Sequence, residues 1–142
     1  MARKLVTKLS NRQCFTLIEK DTLKIASEKF QKHNVGVMPV LNETDKSVIG
    51  IISERDLARY IYRDEFKSNL PVSKIMSKNI ISCNLNTSVT ELMEIISSHK
   101  IRHIPIIEET KLLGIVSIGD VVNHIIEQYK DENQQLRDFI NQ

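Results

Sequence analysis

The chain has 142 residues, of which 41% are hydrophobic and 27% are charged, a balance typical of a soluble domain with a sizeable core. The 20 Lys and Arg against 18 Asp and Glu leave a net charge of +2, too small to indicate binding to nucleic acid or to an anionic membrane. Aromatic residues make up 5% and Trp is absent, so a platform for stacking nucleic-acid bases is poorly supplied.

The sequence also bears on cellular location. Its hydrophobic runs are only a few residues long, so no transmembrane helix is predicted. The segment Met1–Lys8 lacks the apolar stretch of a signal peptide. Cys14 and Cys83 have no partner at the spacing of a metal or redox motif. These features predict a reduced, cytoplasmic protein that binds no metal, no membrane and no nucleic acid.

A tandem repeat organises the whole chain. The sequence matches itself at an offset of 66 residues, and the offset falls to 64 after the turn-like stretch between Leu41 and Val48. The matched pairs include Val6 and Val72, His33 and His99, Pro39 and Pro105, Gly50 and Gly114, Ser53 and Ser117, and Asp56 and Asp120. Because the single change in length falls in a turn, where it is well tolerated, the pattern indicates duplication.

Each copy shows the same order of predicted elements, β-α-β-β-α. In the first copy these are a strand at 14–18, a helix capped at Asp21–Thr22, a hairpin of 35–41 with 48–53, and a helix from Glu54. In the second copy they are a strand at 80–83, a helix capped within 86–88, a hairpin of 101–107 with 112–117, and a helix from Ile118. Helical apolar spacing and β-branched runs support them. Pro39 and Pro105 cannot donate a ladder hydrogen bond and favour edge strands.

The elements predict an α+β fold. The first repeat covers 5–68, the second 69–129, and a C-terminal helical extension 130–142. We expect the two repeats to pack sheet to sheet around a pseudo-twofold axis, because one copy alone buries its sheet and helices poorly. Two related clefts would then lie between the copies, at the two Ser-x-x-Asp junctions. The extension packs on the body or on another subunit, or it is a frayed polar terminus; the sequence leaves this open.

Several motifs in this order resemble a pair of cystathionine-β-synthase (CBS) domains. They are Gly50–Asp56, Gly114–Asp120, the Val-x-x-Ile-Met run at 72–76 and Arg102–Ile106. The resemblance spans about residues 5–127 and is nearest to the stand-alone bacterial two-CBS proteins. It implies a regulatory, non-catalytic module that binds AMP, ADP, ATP or NAD, and often a disc-shaped homodimer. The alternative is a ligand-free scaffold that dimerises through its C-terminal helix; an enzyme would need a catalytic grouping that the sequence does not offer.

The Ser-x-x-Asp junctions are the first candidate sites. Each junction has two interpretations, a helix cap or a ribose-binding group, and this applies to Ser53 with Asp56 and to Ser117 with Asp120. Glu is the usual partner in a capping box because its side chain is long enough to reach back to the N–H of the capping residue. A shorter Asp in that place therefore favours the interpretation as a ribose-binding group. Gly119 costs helix stability, by up to about 1 kcal/mol relative to Ala. Close approach of a ligand explains it, and so does a steric need of the fold.

Basic residues near the two clefts are the phosphate candidates. Arg102 and His103, helped by Lys100, replace Gly36 and Val37 of the first copy. The resemblance implies that they hold phosphate above a ribose bound by Asp56; the alternative is that they are part of a solvated edge strand. Arg55 would act in the cleft of Asp120; the alternative is an exposed residue in a local ion pair.

The resemblance also implies an adenine slot in each cleft. Its members are Phe15, Thr16 and Met38 in one cleft and Ile81, Ser82 and Ile104 in the other. Residues of these types are more often part of a hydrophobic core.

Overall fold

The computed structural model describes residues 5–10, 12–63 and 67–141; Asn11, 64–66 and Gln142, which fall within the predicted repeats and extension, lie outside the described residues. Its elements are α1 (Leu5–Leu9), β1 (Leu17–Ile18), α2 (Leu23–His33), β2 (Val37–Leu41), β3 (Val48–Ser53), α3 (Glu54–Tyr62), α4 (Val89–His99), β4 (His103–Glu108), β5 (Lys111–Ser117) and α5 (Ile118–Ile140). A 3₁₀ turn, Val72–Lys74, lies between α3 and α4. The predicted tandem α+β architecture is confirmed.

The middle helix of each repeat, α2 or α4, begins and ends in the same way. Thr22 Oγ1 accepts a backbone N–H in the first turn of α2 at 3.2 Å, and Ser88 with Glu91 forms a reciprocal capping box on α4. Both helices end at a residue in the left-handed conformation, Asn34 with φ 53° and Lys100 with φ 55°. Local capping thus fixes both ends of the helix that covers each sheet.

The first sheet has the order β1-β2-β3, so β2 is its central strand. Val40 pairs with Leu17 in parallel and with Gly50 in antiparallel register. The expectation that Pro39 marks an edge strand is therefore wrong for β2. The proline is tolerated because β1 covers only the last two residues of the predicted strand at 14–18 and begins to pair at Val40, beyond Pro39.

The second repeat keeps its hairpin, β4–β5, but not the strand predicted at 80–83. Cys83 forms only an isolated parallel bridge with Ile106. Directly afterwards, the Asn84 N–H donates to Thr87 Oγ1 at 3.0 Å. This side chain takes a backbone donor that a longer strand would use, so the extended backbone ends after one bridge.

The N-terminal segment of each repeat packs on the other repeat, which the sequence did not predict. The described residues form two buried clusters, a first core under β2 and β3 and a second core under β4 and β5. Leu5 and Val6 of α1 belong to the second core, whereas Val72 belongs to the first. The Leu9 carbonyl approaches β5 so closely that a Cβ added at Gly114 would lie 2.8 Å from it. The two repeats are therefore interlocked.

The two hairpins also contact each other where β3 and β5 begin. Ser47 bridges Lys111, and the Val48 N–H donates to the Thr110 carbonyl at 3.0 Å. Lys111 Nζ donates to the Asp45 carbonyl. This contact and the exchanged segments fix the repeats relative to each other, and a cleft runs between them.

The last helix, α5, closes the second repeat and continues beyond it. Val121 and His124 are buried, and Ile125 packs against the second core. All described residues from Glu127 to Asn141 are exposed, and the helix extends to Ile140. The second half of α5 thus leaves the body of its own chain.

Candidate nucleotide site at the repeat junctions

The two Ser-x-x-Asp junctions form the same local structure. Ser53 with Asp56 begins α3, and Ser117 with Asp120 begins α5. In each pair the Asp N–H donates to the Ser Oγ at 3.1 Å, and the Ser N–H donates to the Asp Oδ2 at 2.8 Å. Both are reciprocal capping boxes. The argument that Asp is too short for this role is wrong, because its carboxylate reaches the Ser N–H at ordinary hydrogen-bond distance.

Capping uses only one carboxylate oxygen of Asp56. Its Oδ2 accepts from Ser53, whereas Oδ1 makes no hydrogen bond or ion pair with another residue that the structure describes. Asp56 is half-buried at the start of α3, where free N–H groups and the helix dipole favour negative charge. Capping and ligand binding are therefore compatible at Asp56, and the two interpretations of the motif do not exclude each other.

Asp120 has a side-chain partner that Asp56 does not have among the described residues. Arg12 Nη1 donates to Asp120 Oδ1 at 2.9 Å, Arg12 Nη2 donates to Oδ2 at 2.8 Å, and Nη2 also donates to the Ile115 carbonyl at 2.7 Å. The Asp120 side chain is 17% exposed. Burial opposes its ionisation, but hydrogen bonds from Arg12 and Ser117 outweigh burial and hold the pKa of Asp120 below its usual value. Both oxygens are covered by a bidentate guanidinium.

Arg12 is a site residue that sequence reasoning missed. Its counterpart at the repeat offset of 66 is Lys78, which is exposed. A basic residue at the same position in both copies was the available signal. Lys78 cannot form the bidentate contact because an ammonium group lacks the planar arrangement of donors. The two repeats therefore differ at the position that contacts the second carboxylate.

Arg102 and His103 lie at the start of β4, close to the junction of their own repeat. His103 pairs with Ser117 across the hairpin, and the Arg102 carbonyl accepts the N–H that begins α5 at 2.8 Å. Arg102 is exposed and His103 is half-buried. Burial lowers the pKa of His103 and outweighs the opposing effect of Asp120, and Arg102 lowers it further. His103 is therefore mainly neutral at pH 7, and the carboxylate that influences it is Asp120.

Three other predicted residues are exposed at helix ends. Arg55 and Gly119 occupy the first turns of α3 and α5, and Lys100 ends α4. A Cβ at Gly119 would meet Ser117 Oγ at 3.6 Å, an ordinary contact, and the glycine φ is not positive. The fold thus does not require glycine at this position. Close approach of a ligand remains the prediction for Gly119.

The residues predicted for the two adenine slots differ in burial. Met38 and Ile104 are fully buried, one in each core, so only their backbone is available to a ligand. Phe15 stacks on His33 with ring centroids 3.7 Å apart and an interplanar angle of 12°. Thr16 lines the cleft between the repeats. The remaining two, half-buried and exposed respectively, are Ile81 and Ser82.

The cleft between the repeats has a volume of about 390 Å³, within the range of small-molecule sites, about 300–1,000 Å³. Arg12, Lys46 and Lys111 border it with positive charge. Apolar surface comes from Leu41, Leu112 and Leu113. Lys46 belongs to the turn that is shortened in the second copy, so the repeat comparison gave no signal for it. The cleft combines cations with an apolar wall; of the predicted site residues Thr16 lines it, and neither Asp56 nor Asp120 is among its lining residues.

The thiol in the cleft is not a nucleophile. Burial raises the pKa of Cys14 to about 11, and only a weaker effect of Arg12 opposes it, so the unreactive protonated form dominates. Within 5–10, 12–63 and 67–141, His, Cys, Asp and Glu side chains form no group of three or more that could hold a metal ion. None of the described helices is both long enough and apolar enough to cross a membrane. The cytoplasmic location stays a prediction.

Comparison with known proteins assigns the fold to a family. The CBS domain model matches residues 6–63 and 72–127. The chain therefore belongs to the CBS-domain family and carries two CBS domains in tandem. CBS pairs are generally regulatory and non-catalytic, and commonly bind adenine nucleotides.

Its relatives include stand-alone CBS proteins. The chain is 33% identical over 124 residues to CBS domain-containing protein CBSX3, mitochondrial, of Arabidopsis thaliana, covering 84% of this chain and 60% of that protein. It is 32% identical over 110 residues to CBS domain-containing protein YhcV of Bacillus subtilis, covering 77% and 76% respectively. The crystal structure of the CBS-domain containing protein ATU1752 from Agrobacterium tumefaciens matches with a TM-score of 0.75 and 33% identity, over 84% of this chain and 94% of that one.

Proposed function

We propose that this chain is a non-catalytic regulatory module that binds an adenine nucleotide, AMP, ADP, ATP or NAD, between its two repeats. The observation that carries the proposal is the cleft of about 390 Å³, in which Arg12, Lys46 and Lys111 offer positive charge beside apolar surface. Family membership supports the same ligand class. Phosphate would face the cations and the base would lie on the apolar wall.

Asp56 is the ribose-binding group of one cleft in this proposal. Its capping box with Ser53 holds the carboxylate in place before a ligand arrives, so little side-chain freedom is lost on binding. The ribose hydroxyls donate to Oδ1, which has no described partner. Arg102 and His103, with Lys100 nearby, hold the phosphate. The backbone beside Ser82 and Ile104 contacts the adenine.

In the cleft of Asp120, the ligand replaces Arg12 as the hydrogen-bond partner of the carboxylate. Arg12 holds both oxygens of Asp120, so a ribose must displace the guanidinium. The displaced Arg12, which also lines the cleft of about 390 Å³ between the repeats, then binds the phosphate of the same ligand. A nucleotide supplies both replacement partners, whereas a nucleoside supplies only the diol. Arg55 and the first turn at Gly119 also face phosphate in this cleft.

Regulation requires that the nucleotide binds two conformations of the protein with different affinities. A nucleotide shifts the protein only by the difference in its affinity for them. We place the exchange of Arg12 between Asp120 and phosphate at the centre of that difference, because it changes a contact between an exchanged N-terminal segment and the second repeat. The working unit is a cytoplasmic homodimer whose regulated partner protein contacts one conformation.

A ligand panel tests the proposed function. Thermal unfolding of the full chain is measured with AMP, ADP, ATP, NAD and NADH, and with GMP as the base control. Stabilisation by at least one adenine nucleotide is expected, because a ligand that binds only the folded state raises the melting temperature. The double variant Asp56→Ala/Asp120→Ala should lose this response. No stabilisation at millimolar ligand contradicts the proposal.

The second candidate function is a ligand-free interaction scaffold. The long exposed part of α5 favours it, because Tyr129, Leu136, Phe139 and Ile140 are each more than half exposed there. The two functions are separable. Truncation after Tyr129 should remove dimerisation under the scaffold hypothesis and leave the nucleotide response intact under the first.

A further inference from the structure

Among the residues that the structure describes, none covers the second half of α5. The helix has 23 residues, and its buried residues, Val121 and His124, lie in the first two turns. Described residues from Glu127 onward are all exposed. An isolated helix as short as the exposed segment from Glu127 to Ile140 is marginal in water, and most helical stability in proteins comes from packing of an apolar face. The apolar residues of this segment therefore call for a partner surface.

Those residues form a regular seam along one side of α5. The seam consists of Val122, Ile126, Tyr129, Asn133, Leu136 and Ile140, and we call it the α5 seam. The spacing alternates between four and three residues, which is the period of a two-stranded coiled coil. Exposed fractions of 47%, 46%, 65%, 58% and 69% for the five apolar members show that the seam is uncovered.

The α5 seam is a different side of the helix from the one that packs on the body. Val121, His124 and Ile125 face the second core. Since successive residues are about 100° apart, the seam lies about a quarter turn away from them. The side opposite the seam carries its own polar contact, with Gln134 Nε2 donating to Asp138 Oδ1 at 3.0 Å. A second helix can therefore reach the seam without displacing the body.

Charge on the flanks of the seam selects the partner and its direction. Glu132 precedes the seam residue Asn133, and Arg137 follows the seam residue Leu136. In a parallel, in-register pair of two copies, Glu132 of each copy faces Arg137 of the other, which gives two attractive pairs. An antiparallel pair instead brings Lys130 towards Arg137, two like charges. The charge pattern thus fits a second copy of this chain in parallel orientation.

Asn133 supplies the register. A single Asn at an inner position of a coiled coil hydrogen-bonds to the same residue of its partner and specifies a dimer in register, at some cost in stability. Shifting the helices by one heptad would leave each Asn133 facing an apolar residue, with its amide unpaired. The one polar residue in the seam therefore favours a single alignment.

We propose that the α5 seam is a parallel two-stranded coiled coil between two copies of this chain, with Asn133 paired across the axis and Glu132–Arg137 pairs on both flanks. The inference rests on the homodimer proposed above and gives it a specific geometry. It does not depend on nucleotide binding, because none of its residues lies in the clefts.

Sedimentation equilibrium of the full-length chain tests the seam. Leu136→Glu is expected to weaken dimerisation by at least about tenfold, because it places two charges face to face in the seam. Gln135→Glu is the matched control, with the same new charge one residue away and off the seam; it should leave the dimer unchanged. A monomeric wild type overturns both the homodimer and the coiled coil. A dimer that persists in Leu136→Glu overturns the coiled coil alone.

Cross-linking tests the orientation. Ile140→Cys should form a disulfide-linked dimer on mild oxidation, because a parallel in-register pair brings the two 140 positions together. Gln135→Cys, on the outer side, should remain uncross-linked. In an antiparallel pair the two 140 positions lie at opposite ends, so failure of Ile140→Cys to cross-link in a dimeric protein overturns the parallel arrangement. Circular dichroism confirms that each variant stays folded, as expected for exposed positions.

Discussion

The two repeats end in the same capping box, but their carboxylates have different neighbours. Asp56 keeps Oδ1 without a described partner, whereas both oxygens of Asp120 accept from Arg12. This difference is caused by Arg12, which lies outside the motif and 108 positions before Asp120 in the chain. A duplicated motif therefore gives the same local structure twice without giving two equivalent sites. The exchanged segment that reaches the second junction decides its chemistry.

The strongest test of this comparison removes each carboxylate in turn. Asp56→Ala and Asp120→Ala are each expected to abolish a different AMP site in isothermal titration calorimetry. A hydrogen bond to a charged group contributes about 1.5–3 kcal/mol and each 1.4 kcal/mol is about tenfold in affinity, so each site should weaken at least tenfold. Unchanged stoichiometry in both variants contradicts the ribose assignments. Both substitutions remove a helix cap, and Asp120→Ala also removes the ion pair with Arg12, so urea unfolding of the ligand-free variants measures the loss of stability separately from the loss of binding.

The second test compares matched glycines under the exchanged segments. A Cβ at Gly114 would meet the Leu9 carbonyl at 2.8 Å, whereas at Gly50 it would meet the side chain of Met76. Backbone cannot yield as a flexible thioether can, so Gly114→Ala should destabilise by about 2 kcal/mol and Gly50→Ala by less than about 1 kcal/mol. Urea unfolding measures both. Equal losses would show that the two exchanged segments are held with equal rigidity.

A smaller change in affinity is expected when the ion pair between Arg12 and Asp120 is removed. In an Asp56→Ala background, Arg12→Ala should strengthen adenosine binding about fivefold, because a partly exposed ion pair worth about 1 kcal/mol no longer has to be broken. The same change should weaken AMP binding relative to adenosine, since Arg12 is the proposed phosphate ligand. Lys78→Ala is the control at the matching repeat position and should alter neither. Parallel changes for adenosine and AMP would contradict the exchange of partners.

The smallest expected effect is the change of nucleotide affinity with pH. The pKa of His103 is lowered by burial, so the free protein carries it mainly neutral at pH 7. A phosphate beside it favours the imidazolium, so binding takes up a proton and affinity rises as pH falls. We expect about a threefold gain for NAD, whose phosphates do not titrate in this range, between about pH 7.5 and pH 6.

The control for this pH effect is His103→Gln, which cannot titrate and should show a flat profile. Comparison of the Asp120→Ala and Asp56→Ala variants shows which cleft His103 serves. If the pH dependence survives there and disappears in Asp56→Ala, His103 serves the cleft of Asp56, as proposed. The reverse result assigns His103 to the junction of its own repeat.

Local pattern was sufficient for much of the fold but for little of the site. The closing helices begin at Glu54 and Ile118 as predicted, because an apolar strand followed by a Ser N-cap is encoded within a few residues. The strand predicted at 80–83 is reduced to one bridge because a single side chain, that of Thr87, takes the Asn84 backbone N–H. Of the residues predicted for the two adenine slots, Met38 and Ile104 are buried in the two cores and Thr16 lines the cleft, because burial depends on the partner surface, which the spacing of apolar residues does not describe.

The sequence by itself determined the duplication, the middle helix, hairpin and closing helix of each copy, and the two Ser-x-x-Asp caps, since each depends on neighbours along the chain. Only the tertiary structure decided which repeat each N-terminal segment packs on, and thereby that Arg12 reaches Asp120 while Lys78 remains exposed. Contacts between residues 108 positions apart arise from how whole elements pack, and no local spacing specifies them. The physical difference between two similar junctions was therefore fixed by packing.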